Sequence, residues 1–216
     1  YFSNNIGMDF QGIHTKREDC RVFGSYHDGF SDDANFTESY RDESAGNGND
    51  GFNGTVTDFA GKADEETHIE AVYFDPYGHD NGDDGISFHT RGDSTVHGGL
   101  FEYNTKADVV HVTGAACVCY NTVAQGAFNG FYAATAATDG RTQTTFLCVG
   151  TKARKNTYSY RAADNTSLTV DGGISENPTI FGFQQSGTAT LTARNCLYTG
   201  DALKAKSGTV TVINDS

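Results

Sequence analysis

The densest group of residues that could do chemistry is the stretch His79–Arg91, which reads His-Asp-Asn-Gly-Asp-Asp-Gly-Ile-Ser-Phe-His-Thr-Arg. Carboxylates beside histidine can serve as general acid, general base or nucleophile in the hydrolysis of a glycosidic bond. Alternatively, arginine or histidine can remove the proton beside a uronate carboxyl group, which cleaves the chain by β-elimination. Both reactions cut polysaccharides, so this stretch is the leading candidate site.

The alternation of apolar and polar residues predicts which side chains point outward. If Ile86 and Phe88 face the core, Ser87 and His89 face outward and Arg91 lies just beyond the strand. With Val110 facing inward one repeat later, His111 stands beside Ser87. The predicted catalytic residues are Asp33, His89, Arg91 and His111, and the predicted substrate-binding residues are Asp9, Ser87 and Tyr132. Tyr120 and Tyr160 are further tyrosines predicted to be exposed, where they could stack on sugar rings.

Four aspartates occupy what reads as the same step of successive repeats, directly before a strand. An Asx side chain at such a step caps the turn by bonding to nearby backbone. We therefore predict a structural role for Asp28, Asp50, Asp84 and Asp108.

The segment Asp80–Asp84 offers enough oxygens for Ca²⁺, with Asp80 and Asp83 as the candidate ligands. It is not an EF-hand loop, because the ligand spacing and a glutamate at the twelfth position are missing. Oxygen-rich turns are common without metals, so no cofactor is required by the sequence and Ca²⁺ is the one ion it suggests.

These residues are positioned by a short repeat. Asp or Asn, then any residue, then a large apolar residue recurs down the chain at spacings of 21 to 27 residues, with one spacing of 34. This repeat is the first column of equivalent residues. In a second column, Gly or Asn follows an inward apolar residue by two positions, and the chain bends there through positive φ. Its members are Val96-His97-Gly98, Cys119-Tyr120-Asn121, Cys148-Val149-Gly150, Val170-Asp171-Gly172, Ala193-Arg194-Asn195 and Val212-Ile213-Asn214.

A third short strand follows that bend, beginning at Leu100, Val123, Ala153, Ile174 and Leu197. Three strands per repeat predict an all-β, right-handed, single-stranded parallel β-helix solenoid of about nine coils. A β-sandwich is the rival fold, but its strands would not recur in three columns in phase. One domain spanning 1–216 is predicted, with insertions near 41–49, 57–83 and 136–143, and the absence of an initiating Met indicates a mature product or a fragment of a longer protein.

Composition excludes several classes of protein. The formal net charge of −13 disfavours a nucleic-acid partner or an anionic membrane surface, and no apolar run is long enough to predict membrane insertion. The five cysteines are odd in number and include no Cys-x-x-Cys pair, so we predict small buried side chains rather than a disulfide framework or a zinc site.

The run Asp83–His89, followed by Gly98–Asn104, resembles the pectate-lyase-like superfamily of β-helix proteins, and is most similar to versions in phage tailspikes, tail appendages and carbohydrate-active enzymes. The resemblance implies a polysaccharide partner, an extracellular or virion-surface location and, for the phage members, a homotrimer. It transfers no catalytic residues, because neither a lyase's basic triad nor a polygalacturonase's set of aspartates is matched.

Two functions follow as expectations. The first is a polysaccharide lyase or glycoside hydrolase. The second is a non-catalytic structural and receptor-binding segment of a phage tail fibre or appendage.

Overall fold

A computed structural model describes residues 6–54, 69–89, 92–111, 116–134, 144–201 and 206–213. These residues form 24 β-strands and no helix. In the part of the chain so described, no helix could cross a membrane.

The strands are short, apart from two near the start of the chain. The first twelve are β1 (Met8–Glu18), β2 (Arg21–Phe23), β3 (Phe30–Tyr40), β4 (Glu43–Ala45), β5 (Phe52–Gly54), β6 (Ile69–Phe74), β7 (Tyr77–His79), β8 (Asp84–Phe88), β9 (Gly92–His97), β10 (Leu100–Glu102), β11 (Ala107–His111) and β12 (Ala116–Tyr120). The others are β13 (Val123–Gln125), β14 (Asn129–Ala133), β15 (Thr144–Val149), β16 (Lys152–Arg154), β17 (Tyr158–Ala163), β18 (Thr166–Asp171), β19 (Ile174–Glu176), β20 (Phe181–Ser186), β21 (Thr190–Arg194), β22 (Leu197–Thr199), β23 (Lys206–Ser207) and β24 (Val210–Ile213).

The chain is a parallel β-solenoid with three faces. The first face contains β5, β8, β11, β14, β17, β20 and β23, and the second contains β6, β9, β12, β15, β18, β21 and β24. Both faces begin with β1 and β3, because β3 pairs with β5 through Phe30 and Ser31 and with β6 from Phe36 onward. The third face is a sheet of eight strands in the order β2-β4-β7-β10-β13-β16-β19-β22. The predicted fold class is confirmed, although the described residues form about seven turns rather than the predicted nine coils.

Turn length is nearly constant. Equivalent positions of most neighbouring turns are 22 or 23 residues apart, as are Ser25 and Asn47, or Asn81 and Asn104. The last step of the second face is shorter, with Leu191 and Val210 19 residues apart. Two turns are longer, with equivalent positions 34 residues apart at Asn47 and Asn81 and 29 residues apart at Ala127 and Asn156. The third face has eight strands, and the seven steps between them correspond to about seven turns of the solenoid. In both long turns the extra residues lie between a first-face strand and the following second-face strand, which is the same corner of the solenoid.

The register confirms two of the three predicted columns. Val96, Cys119, Cys148, Val170, Ala193 and Val212 are successive partners on the second face. Positive φ occurs where predicted, at Gly98, Asn121, Gly150, Gly172 and Asn195. The third strands begin where predicted, except that β16 begins one residue earlier, at Lys152.

The first column is correct at Phe30, Phe52, Ile86 and Phe131 and is out of register at its other described members. Phe30, Phe52 and Ile86 are partners, but the next core residue is Val109 rather than Val110. In later turns Tyr160 and Phe183 hold the core positions, rather than Tyr158 and Ile180. The slip begins because Ala107, and not Asp108, lies opposite Asp84.

The predicted insertions have different outcomes. Residues 41–49 contain β4 and belong to a turn of ordinary length, so the prediction of an insertion there is wrong. Between 57 and 83, β6 and β7 are regular strands of the second and third faces, and the positions before Ile69 lie outside the described residues. The predicted insertion 136–143 also lies outside them.

The interior is a set of stacks that run from turn to turn. Tyr160 packs between Phe131 and Phe183, with ring centroids 5.2 Å away on each side. Cys119 and Cys148 are buried partners on neighbouring strands, and their thiols are free, as predicted. Equivalent side chains therefore pack on one another at the strand spacing.

An asparagine ladder forms the corner before the first face. Asn47 Nδ2 donates to Asn81 Oδ1 at 2.8 Å, and Asn81 Nδ2 donates to Asn104 Oδ1 at 2.9 Å. A Cβ atom at Gly85 would lie 2.7 Å from Asn104 Nδ2, and one at Gly51 would lie 2.7 Å from Asn81 Nδ2. Glycine therefore follows aspartate in this repeat because the ladder leaves no room for a side chain.

The first turns also bury a charged network. Arg17 donates to both oxygens of Asp32, with one distance of 2.9 Å, and its Nε donates to Asp42 Oδ2 at 2.6 Å. The Tyr73 hydroxyl donates to Asp32 at 2.7 Å, and the Ser39 hydroxyl donates to Asp42 at 2.6 Å. The Arg17 side chain is only 2% exposed. Each charge in this network is therefore paired and hydrogen-bonded.

Candidate functional site: a carboxylate cluster on the first face

Three aspartates bring their carboxylate groups together where the first face begins. Asp50 and Asp84 occupy the same register position on neighbouring turns, and Asp83 directly precedes Asp84. One oxygen of each lies within 4.8 Å of one oxygen of the other two. We call Asp50, Asp83 and Asp84 the carboxylate cluster.

Two of these carboxylates are held by hydrogen bonds between turns. Asp50 Oδ1 accepts from the Asp84 backbone N–H at 3.1 Å, and its Oδ2 accepts from the Ser87 hydroxyl. Asp84 Oδ1 accepts from the Ala107 N–H at 2.9 Å. One turn earlier, Asp28 Oδ1 accepts from the Asp50 N–H at 3.2 Å. The predicted capping role of Asp28, Asp50 and Asp84 is confirmed, with the refinement that each caps the neighbouring turn.

Asp108 does not belong to this column. Its Oδ1 accepts from Asn104 Nδ2 at 2.9 Å, within the asparagine ladder. The side chain is buried, and its Oδ2 has no hydrogen-bond partner among the described residues. The prediction that it caps like Asp84 is wrong, because Asp108 occupies the step that glycine fills in the preceding turns.

Burial changes the acidity of the cluster. It raises the pKa of Asp50 to about 7, and the nearby carboxylate of Asp28 adds to this effect. Burial likewise raises the pKa of Asp84 to about 8, with further repulsion from Asp50 and Asp83. Because the two sites interact, protons leave them as a coupled pair. Near neutral pH the pair therefore holds at least one proton.

Asp83 differs from its two neighbours because it is paired with a cation. Its Oδ2 lies 2.5 Å from Lys106 Nζ, whereas its Oδ1 is buried and has no hydrogen-bond partner in the described structure. The Asp83 side chain is 20% exposed, compared with 3% for Asp50. Asp83 is thus the more accessible of these two carboxylates, although its unpartnered Oδ1 is buried and its Oδ2 is held by Lys106.

His89 follows β8 and extends the cluster toward solvent. Its Nε2 lies 3.9 Å from Asp50 Oδ2, and its side chain is 37% exposed. Burial lowers the pKa of this imidazole, although the carboxylates of Asp28 and Asp83 oppose the shift. A neutral imidazole at this position can accept or pass on a proton near neutral pH.

The residues predicted to bind substrate lie in a single row along the first face. The row runs Asp9, Ser31, Asn53, Ser87, Val110, Tyr132, Arg161, Gln184 and Ser207. Asp9 is exposed at one end, and Tyr132 is half-buried two strands beyond Ser87. Ser87 itself is fully buried, so its predicted outward exposure is wrong. Its hydroxyl is instead used to hold Asp50.

Of the other predicted catalytic residues, only the backbone register of Asp33 and His111 is described. Val110, and not His111, is the partner of Ser87, while His111 is the partner of Phe88. The predicted juxtaposition of His111 and Ser87 is wrong because Val109 takes the core position beside Ile86. The side chains of Asp33 and His111 lie outside the described residues, as does the whole of Arg91.

The tyrosines have different environments. Tyr160 is fully buried, with its hydroxyl donating to the Thr151 carbonyl at 3.0 Å, so its predicted exposure is wrong. Tyr120 lies on the second face and stacks on His97 at 5.1 Å. Of the three tyrosines, Tyr132 alone lies in the row of Ser87, on the same face as the carboxylate cluster.

The predicted calcium ligands are separated. Asp80 is exposed and lies 2.8 Å from His79 Nδ1, outside the cluster, whereas Asp83 is a member. Ca²⁺ takes six to eight oxygen ligands. Backbone N–H groups and Ser87 already bond to Asp50 and Asp84, and Lys106 is paired with Asp83. A metal ion would need these bonds to rearrange.

Sequence reasoning assigned Asp50 and Asp84 to capping alone and so missed their place in the cluster. The signal was present, since Asp83-Asp84 follows Asp50 by one repeat and both lie directly before a strand. No protein-family model, no curated protein and no solved structure matches the chain. The site must therefore be interpreted from its own geometry.

Proposed function

We propose that the protein is a polysaccharide hydrolase whose acid–base groups are the carboxylate cluster and His89. The observation that carries this proposal is the meeting of three carboxylates within 4.8 Å, with a half-exposed imidazole 3.9 Å from one of them. Glycoside hydrolysis commonly uses a pair of carboxyl groups, of which the protonated one acts as the acid and the ionised one as the base or nucleophile.

Accessibility assigns the roles. Asp83 and His89 are more exposed than Asp50, so they are the groups that a sugar or a water molecule can reach. In the proposed reaction, Asp83 accepts a proton from the attacking water, whose oxygen bonds to the anomeric carbon. The proton held by Asp50 passes to the neutral imidazole of His89, which passes a proton on to the departing glycosidic oxygen. The proton taken up by Asp83 then returns to Asp50 through solvent. The distance of 3.9 Å between His89 and Asp50 must shorten by about 1 Å for the transfer between them, and such tightening on substrate binding is common.

Hydrolysis is favoured over β-elimination by the kind of groups assembled. Elimination needs a base and a cation that neutralises the uronate carboxylate. Among the described residues, the cation beside the cluster is Lys106, and it is already paired with Asp83. Three carboxylates, two of them buried, suit proton transfer to a leaving oxygen better.

The test is incubation with a panel of plant and bacterial polysaccharides, following reducing ends together with the ultraviolet absorbance of unsaturated uronates. We expect reducing ends without absorbance. Asp83→Asn and His89→Ala should each lower the rate by about 100-fold or more, in line with the loss of one acid–base group. Asp80→Asn is the matched control, because it alters an exposed aspartate outside the cluster.

Absence of new reducing ends on every polysaccharide would remove the proposal, and absorbance appearing with them would replace hydrolysis by elimination. Turnover should be unaffected by a chelator, because we propose that no metal is required. A Ca²⁺-dependent rate would instead assign the cluster to a cation.

A second candidate is a non-catalytic structural and receptor-binding segment, such as part of a phage tail fibre. The favouring observation is that Asp28, outside the cluster, caps a neighbouring turn just as Asp50 and Asp84 do. Capping alone would then account for the column. Retention of a glycan without cleavage, by a protein whose mass in solution is that of a trimer, would support this alternative. Either function fits an extracellular or virion-surface setting.

A further inference from the structure

A second polar group lies on the first face, beyond the carboxylate cluster. The Arg161 guanidinium carbon lies 5.1 Å from the centre of the Tyr132 ring and 5.0 Å from that of Tyr158. Arg161 Nη1 is 3.4 Å from Asn129 Oδ1, which is a long hydrogen bond to a neutral acceptor. We call Tyr132, Tyr158 and Arg161 the arginine platform.

The positive charge of this platform is not neutralised by a neighbouring acid. Among the described residues no carboxylate lies within ion-pair distance of Arg161, and its Nε is buried without a hydrogen-bond partner. Arg17, Arg21 and Arg41 differ, since each pairs with at least one carboxylate, whereas Arg154 shares with Arg161 a buried Nε without a hydrogen-bond partner. In a chain of net charge −13, a guanidinium held against two rings without an acidic partner is the unusual feature.

The surroundings of the platform suit a sugar. Phe128 is 46% exposed, and its ring packs edge-on against Tyr158 at 5.3 Å, while Phe181 lies 6.4 Å from Tyr158 on the other side. Aromatic surfaces pack against the apolar faces of sugar rings, and guanidinium groups bind carboxylate or sulfate through paired hydrogen bonds. The aromatic column thus supplies packing, and Arg161 supplies charge.

The platform and the carboxylate cluster belong to the same face. Tyr132 lies two strands from Ser87 and Arg161 lies three, so the separations are about 10 Å and 14 Å at the usual strand spacing. Such distances span a few sugar units along the solenoid axis. A glycan lying on this face could therefore contact both groups at once.

We infer that the arginine platform is a binding subsite for a glycan unit that carries an anionic substituent, a carboxylate or a sulfate. This inference rests on the proposed function for its choice of ligand class. It assigns the substrate as an acidic polysaccharide, and Arg161 as the residue that selects it.

The experiment is affinity electrophoresis in gels that contain polygalacturonate, alginate or chondroitin sulfate, with dextran and neutral galactan as uncharged comparisons. We expect the protein to be retarded by at least one acidic polymer and by neither neutral one. Arg161→Ala should weaken that binding about tenfold or more, the effect of losing one charge-assisted contact. Arg161→Lys should restore part of the binding, because lysine restores the positive charge but lacks the planar N–H donors of a guanidinium.

Arg154→Ala is the matched control. It removes the same charge from the third face, where Arg154 is the register partner of Glu176. Binding by this variant should be unchanged. Equal retardation of the wild type and Arg161→Ala, or no retardation by any acidic polymer, would overturn the inference.

Failure of this inference can be told apart from failure of the proposed function. Asp83→Asn should bind the acidic polymer as tightly as the wild type while cutting it poorly. Binding that depends on Arg161 without any cleavage would keep the subsite and remove the hydrolase. Cleavage that is indifferent to Arg161 would keep the hydrolase and remove the subsite.

Discussion

The first turns and the later turns of the solenoid have nearly the same backbone period but different interiors. In the first turns, Arg17, Asp32 and Asp42 are buried together. In the later turns, the interior is apolar and stacked, as at Phe131 and Tyr160. The regular period is 22 residues between Ser25 and Asn47 in the early part, and 23 residues between Asn165 and Thr188 in the later part. It is therefore set at the corners, by positive-φ residues and side-chain ladders, and does not depend on interior polarity.

The first turns bury charged side chains that the fold does not require, and this burial has a desolvation cost. The later turns have no such cost, because their interior is apolar. Buried ion pairs contribute little net stability, yet they make removal of one partner expensive. The carboxylate cluster lies at the boundary between the two regions. We expect the effects of substitution to differ accordingly.

The largest effect is expected for Arg17→Met, which leaves Asp32 and Asp42 buried without their cation. The free energy of unfolding should fall by about 3–5 kcal/mol at neutral pH, measured by urea denaturation. The loss should shrink in acid, where both carboxyl groups can take up protons. Arg21→Met is the control, because that side chain is 70% exposed beside Glu43, and it should cost at most about 1 kcal/mol. Similar losses in the two variants would show that the interior charge has no special cost.

A second effect concerns pH. The pKa of Asp50 is raised from 3.8 to about 7, so its stabilising contribution is complete below about pH 4 and is lost as pH rises toward 7. A shift of about 3 pKa units corresponds to a loss on the order of 4 kcal/mol. Asp50→Asn should lack this loss and should therefore be the more stable protein at pH 8. Denaturation curves across this range check it, with exposed Asp80→Asn as the control.

A wild type whose stability matches that of Asp50→Asn at both ends of the pH range would contradict the burial of a protonated carboxyl group. The same titration of Asp80→Asn should follow the wild type throughout.

A smaller effect is expected at the corner before the first face, where both the first turns and the later turns use asparagine side chains as hydrogen-bond partners. Asn81→Ala removes the acceptor of Asn47 Nδ2 and the donor to Asn104, and should cost about 1–3 kcal/mol. Asn156→Ala, in a later turn, removes the acceptor of the Ala127 N–H and should cost a similar amount. Hydrogen exchange should show opening around each site. Markedly unequal costs would mean that the corners differ as well as the interiors.

The smallest effect is expected at Arg41, which is exposed and lies 2.9 Å from Asp19 and 2.5 Å from Glu18. Arg41→Lys keeps the charge at this position of positive φ, and exposed ion pairs contribute little to stability. The urea midpoint of unfolding should therefore stay close to that of the wild type, and any residual shift should vanish in high salt. A shift as large as that of Arg17→Met would refute the division between buried and exposed charge.

Columns of residues were predictable from the sequence where a bend residue marks the register, even across the 29-residue step from Cys119 to Cys148. The second-face column from Val96 to Val212 was correct at every member, because Gly or Asn at positive φ marks the bends that follow it. The first-face column failed at Val110, where Asp108 looks like a repeat of Asp84 but occupies the glycine step, and it was correct again at Phe131. A shift of one residue exchanges the two sides of a strand, so that error also misplaced His111.

The candidate site was predicted only in part, for a different physical reason. His89 and Asp83 were chosen from local composition, and both lie at the cluster. Asp50 joins them from the preceding turn, across the longest step of the described solenoid, so its proximity depends on register. Arg161 showed little local signal, because only Tyr158 is near it in the sequence, and its partners Tyr132 and Asn129 lie on the neighbouring strand.

The corner between the first and second faces also matters for engineering. Two turns are lengthened there, by about a dozen and about six residues relative to their neighbours, yet the strands on either side keep their register. Lengthening a loop costs little chain entropy, so this corner can accept foreign segments without disturbing the ladders. Peptides grafted after Gly54 or after Ala134 would be presented three turns apart on one rigid scaffold, with their spacing fixed by the solenoid.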